Sequence, residues 1–181
     1  MLTLRLIRVP EDGSLSEKDL AFSLADLGLT DPPFLPPGAT VSYQLTRRMG
    51  QVFGRIQAAA AASQSCGSCL ADYEQALRAD FAVTFEARSA DAKDQARAQA
   101  EEDDPELAVS FFDGEEMPLG EEIRQELELQ LPFAPRCRQD CKGLCGVCGQ
   151  DLNLADCGHA GPQSGGHFNG LKKIFNGDNQ A

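Results

Sequence analysis

The stretch from Arg136 to Asn153, RCRQDCKGLCGVCGQDLN, places four cysteines in twelve residues, Cys137 to Cys148. A second pair lies far upstream in CGSC, Cys66 and Cys69, and Cys157 and His159 follow downstream. Glycine beside the thiols lets two sulfurs converge from one tight loop. Gly149 suits the left-handed turn that follows the second sulfur of CGVCG. Zinc takes four nitrogen or sulfur donors in a tetrahedron, and two C-x2-C pairs far apart in sequence are the pattern of a structural zinc protein. Seven thiols and His159 make eight donors, the number that two such centres need. The favoured grouping is Cys66, Cys69, Cys137 and Cys141 in one centre and Cys145, Cys148, Cys157 and His159 in the other. The rival is a single ribbon of Cys66 and Cys69 with Cys145 and Cys148, which leaves Cys157 and His159 idle. Spacing alone leaves one or two ions open.

Other thiol chemistries fit less well. The N-terminus, MLTLRLIRVPEDG, has no long apolar core and no small-residue cleavage site, so a secretory leader is not expected. No apolar run approaches the ~20 residues of a membrane helix. The expectation is therefore a cytoplasmic protein without a membrane partner. In that reducing compartment disulfides are disfavoured, and an odd count would leave one thiol unpaired. Cys141-x3-Cys145-x2-Cys148 has the spacing of radical enzymes that cleave S-adenosylmethionine, but only 33 residues follow Cys148, too few for their barrel. A thioredoxin-like C-x2-C opens a helix in a βαβ frame, and neither flank shows one. A small buried core residue is a fair reading of Cys66 or Cys157 taken alone, but a poor one of the hydrophilic, glycine-rich four-cysteine run.

No catalytic constellation is visible. The chain has no phosphate-cradling glycine loop and no serine elbow, and its two histidines, His159 and His167, both fall in the last 23 residues. Paired acids such as Glu101-Glu102 lack an apolar setting that would raise a pKa. The expectation is a non-enzymatic protein with no small-molecule substrate.

Period-2 patterning makes strands of LTLRLIRV (Leu2–Val9), of TVSYQLTRRMG through Val41, Tyr43 and Leu45, and of RADFAVTFEAR through Phe81, Val83 and Phe85. Residues 10–40 read as loop with one short helix, because DPPFLPPG (Asp31–Gly38) cannot sit in a helix interior or a central strand. The segment from Gly50 to Cys69 is ambiguous. Its alanine run favours helix, whereas the alternation of Val52, Gly54 and Ile56 favours sheet, with Cys66–Cys69 as the turn between two strands. Sheet is preferred. ELAVSFFDGEEMPL gives a short strand and a turn. Leu119, Ile123, Leu127 and Leu131 recur every four residues, Glu121 and Glu122 occupy the first turn where the helix dipole favours anions, and Pro132 closes the helix.

The expected fold class is α+β: a mainly antiparallel sheet, a packed helix, and a C-terminal cysteine-rich zinc-knuckle segment. The expected organisation is a β-rich core over 1–131, a metal-binding segment over 132–160 that folds back on the Cys66–Cys69 turn, and a flexible tail over 161–181 with one amphipathic turn. Residues 87–105, alanine-rich and charged, read as a solvated insertion, with an acidic docking tail as the alternative. The formal charge of −12 disfavours broad, non-specific binding of phosphate backbones. Arg136, Arg138 and Lys142 nevertheless lie among the thiols, and Lys172 and Lys173 stand in the tail. They make a basic patch that a zinc knuckle could hold toward phosphates, or else ordinary solubilising charges.

One resemblance is specific. The run L-x-L-x-L-P at Leu127–Pro132, followed by C-x3-C-K-G-L-C-x2-C-G-x-D-L-N to Asn153, resembles the YceD-like family, proteins linked to accumulation of large-subunit ribosomal RNA. CGSC resembles that family's upstream C-x2-C, and LKKIF (Leu171–Phe175) its C-terminal tail; the resemblance covers roughly residues 40–175. Family members often carry arginine between the upstream cysteines, where this chain has Gly67 and Ser68. The family's downstream C-x-C appears as Cys157-Gly158-His159, an exchange that preserves a zinc donor. The resemblance implies a role in synthesis, processing or stability of large-subunit (23S) ribosomal RNA without a known catalytic centre. It implies as partner ribosomal RNA or a pre-ribosomal particle, met directly or through a protein. A rival reading is an acidic adaptor that never touches RNA, and a thiol-redox or iron–sulfur protein stands behind both.

Overall fold

In a computed structural model of the chain, residues 2–29, 33–87, 108–112 and 114–159 are described. They divide into two units, one of Met1–Gln64 with Asp72–Pro135, the other of Ser65–Ala71 with Arg136–Ala181.

The first unit is built on a five-stranded sheet. Its strands are β2 (Ser14–Phe22), β3 (Phe34–Arg48), β4 (Gln51–Ser65), β5 (Asp72–Ala87) and β6 (Ala108–Phe112), in spatial order β2-β3-β4-β5-β6. A separate two-stranded ribbon pairs β1 (Leu4–Arg5) with β7 (Glu116–Met117). Among the described residues it also carries two α-helices, α1 (Leu24–Leu27) and α2 (Leu119–Leu129). The β3–β4 hairpin turns on Met49 and Gly50, both at positive φ (52° and 84°). That is the primed turn whose twist suits two paired strands. Val52, Ile56, Ala58 and Ala62 of β4 point into the core. Pairing with β3 from Ala39↔Ala60 to Arg48↔Gln51 outweighs the helix propensity of the alanine run, as burial against neighbours generally does. β5 follows the expected pattern, with Val83 and Phe85 buried and Phe81 partly buried against the same core.

Four expectations need correction. The sheet is mixed: β2–β3 and β3–β4 are antiparallel, but β5–β6 is parallel, Val83↔Ala108 through Ala87↔Phe112. Parallel neighbours cannot be joined by a hairpin and need a crossover of a dozen or more residues; residues 88–107 separate these two. The expected insertion thus falls mostly outside the described residues, as does the tail from 160 onward. Second, residues 10–40 contain a nine-residue edge strand, β2. Its register slips between Glu17 and Leu20, and Asp19 sits at φ 54° with its N–H donating to Ser42 Oγ at 2.9 Å. A bulge adds one residue and breaks the period-2 signal that would have disclosed the strand. β3 likewise begins before Pro36 and Pro37, and its pairing shifts register between Phe34 and Ala39, the place where a sheet tolerates proline.

Third, Leu2–Val9 is mostly not strand. Only Leu4 and Arg5 pair, and Leu6–Arg8 turn as a 3-10 helix, although Leu4 and Val9 are buried. Fourth, α2 stops at Leu129, before Leu131. It buries Leu119, Gly120, Ile123 and Leu127, a stripe worth roughly 1.5–3 kcal/mol per large side chain. Gly120 allows close approach, since its N–H donates to Leu2 O at 2.9 Å and a Cβ there would lie 3.0 Å from Leu2 backbone.

In the second unit, the turn after β4 closes on itself: Cys66 N–H donates to Ala71 O and Leu70 N–H to Cys66 O, both at 2.9 Å. Leu144 N–H donates to Ser68 O at 3.0 Å, and Leu144 forms an antiparallel bridge with Asp151. Backbone hydrogen bonds therefore join the two chain segments that carry the thiols.

Candidate metal centre

The structure gathers the donors into two groups. Cys66, Cys69, Cys137 and Cys141 form one, and Cys145, Cys148, Cys157 and His159 the other; within each, all four donor atoms lie within 4.8 Å of one another. Among the described residues the ribbon of Cys66 and Cys69 with Cys145 and Cys148 is not gathered. In the first group Cys66 Sγ and Cys141 Sγ are 3.8 Å apart, and Cys69 Sγ and Cys137 Sγ 3.7 Å. A disulfide needs about 2.05 Å, and all seven cysteines are free. A tetrahedron with metal–sulfur bonds of about 2.3 Å has edges of about 3.8 Å, so the donor set and its spacing fit a four-coordinate ion. In the second group His159 Nδ1 lies 3.3 Å from Cys157 Sγ, compact enough for the same geometry. Either group could hold a metal ion.

Each group grows from a knuckle. Cys66 Sγ accepts from Ser68 N–H and Cys145 Sγ from Val147 N–H, both at 3.5 Å. These donors favour the thiolate. N–H groups of Cys137, Cys69 and Ser68 bring the Cys66 thiol down to about 6. Those of Cys148 and Val147, with the Cys157 thiol, bring Cys145 to about 6. Cys137 moves the other way, to about 12, because burial and the neighbouring thiols Cys69, Cys141 and Cys66 all oppose a further negative charge. Four sulfurs within 4.8 Å of one another oppose each other's ionisation, and a cation among them would relieve that opposition.

The groups differ in exposure. Cys66 and Cys69 are buried and Cys137 and Cys141 half-buried, whereas Cys148 and His159 are exposed. They differ in reach too. The first ties positions 66–69 to 137–141; the second closes within 145–159.

The basic residues expected beside the thiols are exposed at Arg136, Arg138 and Lys142, with Arg138 Nε 3.6 Å from Asp140 Oδ1. Lys172, Lys173 and His167 lie outside the described residues. The sequence reading missed Asn153 and Gly143. Asn153 Oδ1 accepts from Lys142 N–H at 2.9 Å, and its Nδ2 donates to Cys141 Sγ at 3.5 Å and Asp151 Oδ1 at 2.7 Å. Gly143, at φ 73°, lies against the Ser68 carbonyl. The signal was present: an amide side chain and a glycine inside a thiol run are residue types for second-layer hydrogen bonds and tight turns.

A small mixed-sheet protein carrying a thiol-rich unit with two four-donor groups is the class that fold and site define. Among the described residues no helix is long and apolar enough to cross a membrane. The profile of the family described as large ribosomal RNA subunit accumulation protein YceD matches residues 54–175, and the chain belongs to that family. It is 24% identical over 188 aligned residues to the chloroplastic large ribosomal RNA subunit accumulation protein YCED homolog 1 of Zea mays, covering 90% of this chain and 64% of the maize protein. It is 46% identical over 41 residues to an uncharacterized protein of Mycobacterium leprae, covering 23% of this chain and 18% of that one. The chain therefore spans less than two thirds of these relatives. No solved structure matches it.

Proposed function

We propose that the protein is a non-enzymatic factor supporting synthesis, processing or stability of large-subunit (23S) ribosomal RNA, with one structural zinc ion in each four-donor group. Family membership supports the first part. The observation that carries the second is the gathering of eight donors into two disjoint sets of four, with two sulfur–sulfur edges of the first set at 3.7 and 3.8 Å, near the roughly 3.8 Å of a zinc tetrahedron. All four positions of each centre would be filled by protein, which is the mark of a structural rather than a catalytic ion. Cys66, Cys69, Cys137 and Cys141 would hold the first ion; Cys145, Cys148, Cys157 and His159 the second. Zinc would supply a fixed cross-link between short loops that otherwise have little apolar surface to bury.

Arg136, Arg138 and Lys142 would then be held on a rigid frame, facing phosphates of ribosomal RNA or a pre-ribosomal particle. They also offset local charge, since a four-thiolate zinc centre is itself a dianion. The chain's formal charge of −12 favours a second reading, an adaptor that reaches the particle through a basic protein. Elemental analysis of freshly purified protein should give two zinc ions per chain; brown protein with iron would sink the zinc reading. Crosslinking in cells separates the two partners. Ribosomal RNA adducts that disappear when Arg136, Arg138 and Lys142 become glutamate support direct contact, and protein adducts alone support the adaptor.

A further inference from the structure

The two four-donor groups share a piece of chain. Residues 149–156 lie between Cys148 and Cys157, donors of the second group. Asn153, in the middle of that segment, is hydrogen-bonded to the first group: its amide nitrogen donates to Cys141 Sγ and its amide oxygen accepts from the N–H of Lys142. Asp151 holds the amide in place, accepting from Asn153 N–H at 2.8 Å and from Nδ2 at 2.7 Å. The segment is laid along the preceding turn as well, with Leu152 N–H donating to Gly143 O at 3.0 Å. The loop that closes one group is thus the outer layer of the other.

We propose that Asn153 is a positioning residue that couples the two groups, so that a metal ion in the second tightens the first group's hold on its own ion. This rests on the metal reading above. An ion bound by Cys148 and Cys157 pins both ends of residues 149–156 and places Asn153 against Cys141 without further loss of chain entropy. Its N–H then withdraws charge from a metal-bound thiolate and fixes the sulfur's direction, the office of outer-layer hydrogen bonds at metal sites, whose loss lowers affinity 10- to 100-fold. Linkage makes the coupling reciprocal: filling the first group tightens the second by the same factor.

The test uses the full chain, titrated with cobalt(II) in competition with a chelator. An all-sulfur centre and a three-sulfur, one-nitrogen centre differ in their visible bands, so each group reports separately. Four proteins are compared: the unaltered chain, Asn153→Ala, Cys157→Ser, and the double variant. Asn153→Asp is added because it keeps an acceptor for Lys142 N–H while turning a carboxylate toward the thiolate; far-ultraviolet circular dichroism checks that the sheet persists in all. The all-sulfur centre should weaken roughly 10- to 100-fold in Asn153→Ala, Asn153→Asp and Cys157→Ser. The double variant should weaken no further than the worse single. All-sulfur affinity within threefold of the unaltered chain in both Asn153 variants overturns the coupling, and so do losses that simply add in the double variant. Failure of the unaltered chain to bind cobalt or zinc at all is a different result, which removes the metal reading itself.

Discussion

Gly143→Ala tests the thiol-rich unit at one atom. Gly143 stands between Cys141 and Cys145 at φ 73°, and a Cβ there would lie 3.0 Å from Ser68 O, with Ser68 C and Cβ at 3.5 Å. The left-handed conformation costs a non-glycine residue roughly 1–2 kcal/mol. Pushing back Ser68 O lengthens the bond it accepts from Leu144 N–H at 3.0 Å, a further loss of about 0.5–1.5 kcal/mol. The sum, roughly 2.5 kcal/mol, falls on the segment that brings Cys141 to Cys66, and is equivalent to about 60-fold in metal affinity. Two controls bracket it. Gly149 has a similar φ of 74° but nothing within 4 Å of its Cβ, so Gly149→Ala carries the backbone term alone, about 1.5 kcal/mol, near tenfold, on the second group. Gly146 has neither a positive φ nor a neighbour within 4 Å, so Gly146→Ala leaves both groups unchanged. Zinc affinity is read by competition with a chromophoric chelator. Gly143→Ala within threefold of the unaltered chain, or no weaker than Gly149→Ala, refutes the reasoning.

Three further outcomes follow from the first unit. Ile123→Ala and Leu127→Ala each empty a fully buried position on α2, and urea unfolding should show a loss of about 2–5 kcal/mol for either. Gly38→Ala should be worse than an exposed glycine change such as Gly114→Ala: at φ 133° its Cβ would lie 2.1 Å from Phe22 O, which no side-chain movement relieves, and thermal unfolding compares the two. Glu122 is held above the usual carboxylate range by burial, with Glu121 and Glu126 adding to the rise and the hydroxyl of Ser110, donating to Oε1 at 2.6 Å, opposing it. The folded chain then binds more protons than the unfolded chain at this site, so the site's contribution declines as pH rises through 4.5 and above. Glu122→Gln should remove that slope and gain stability relative to the unaltered chain at pH 7; an identical pH profile in urea would refute it.

Much of the candidate site was legible in the chain because metal chemistry leaves a discrete signal. Thiol spacing, glycine beside sulfur and a donor count of eight narrowed the chemistry before any fold was known. The helix was legible because Leu119, Ile123 and Leu127 share one face, and the alternation in β3 and β5 disclosed those strands. What stayed hidden depended on neighbours. β2 was lost because its bulge at Asp19 breaks alternation. β6 was read as a strand, but its parallel pairing with β5 was not, because strand direction leaves no period in the residues. Alternation at Val52, Gly54 and Ile56 favoured sheet for Gly50–Cys69, as found; the alanine run alone pointed to helix, and the ladder to β3 is what holds Ala58–Ala62 as strand. The sequence by itself determined that eight donors exist and that glycine-bounded turns carry them. The tertiary structure alone decided which four meet, because sulfur atoms 68 and 75 residues apart are brought to edge distance by backbone hydrogen bonds such as Leu144 to Ser68, and spacing along a chain does not encode distance through space.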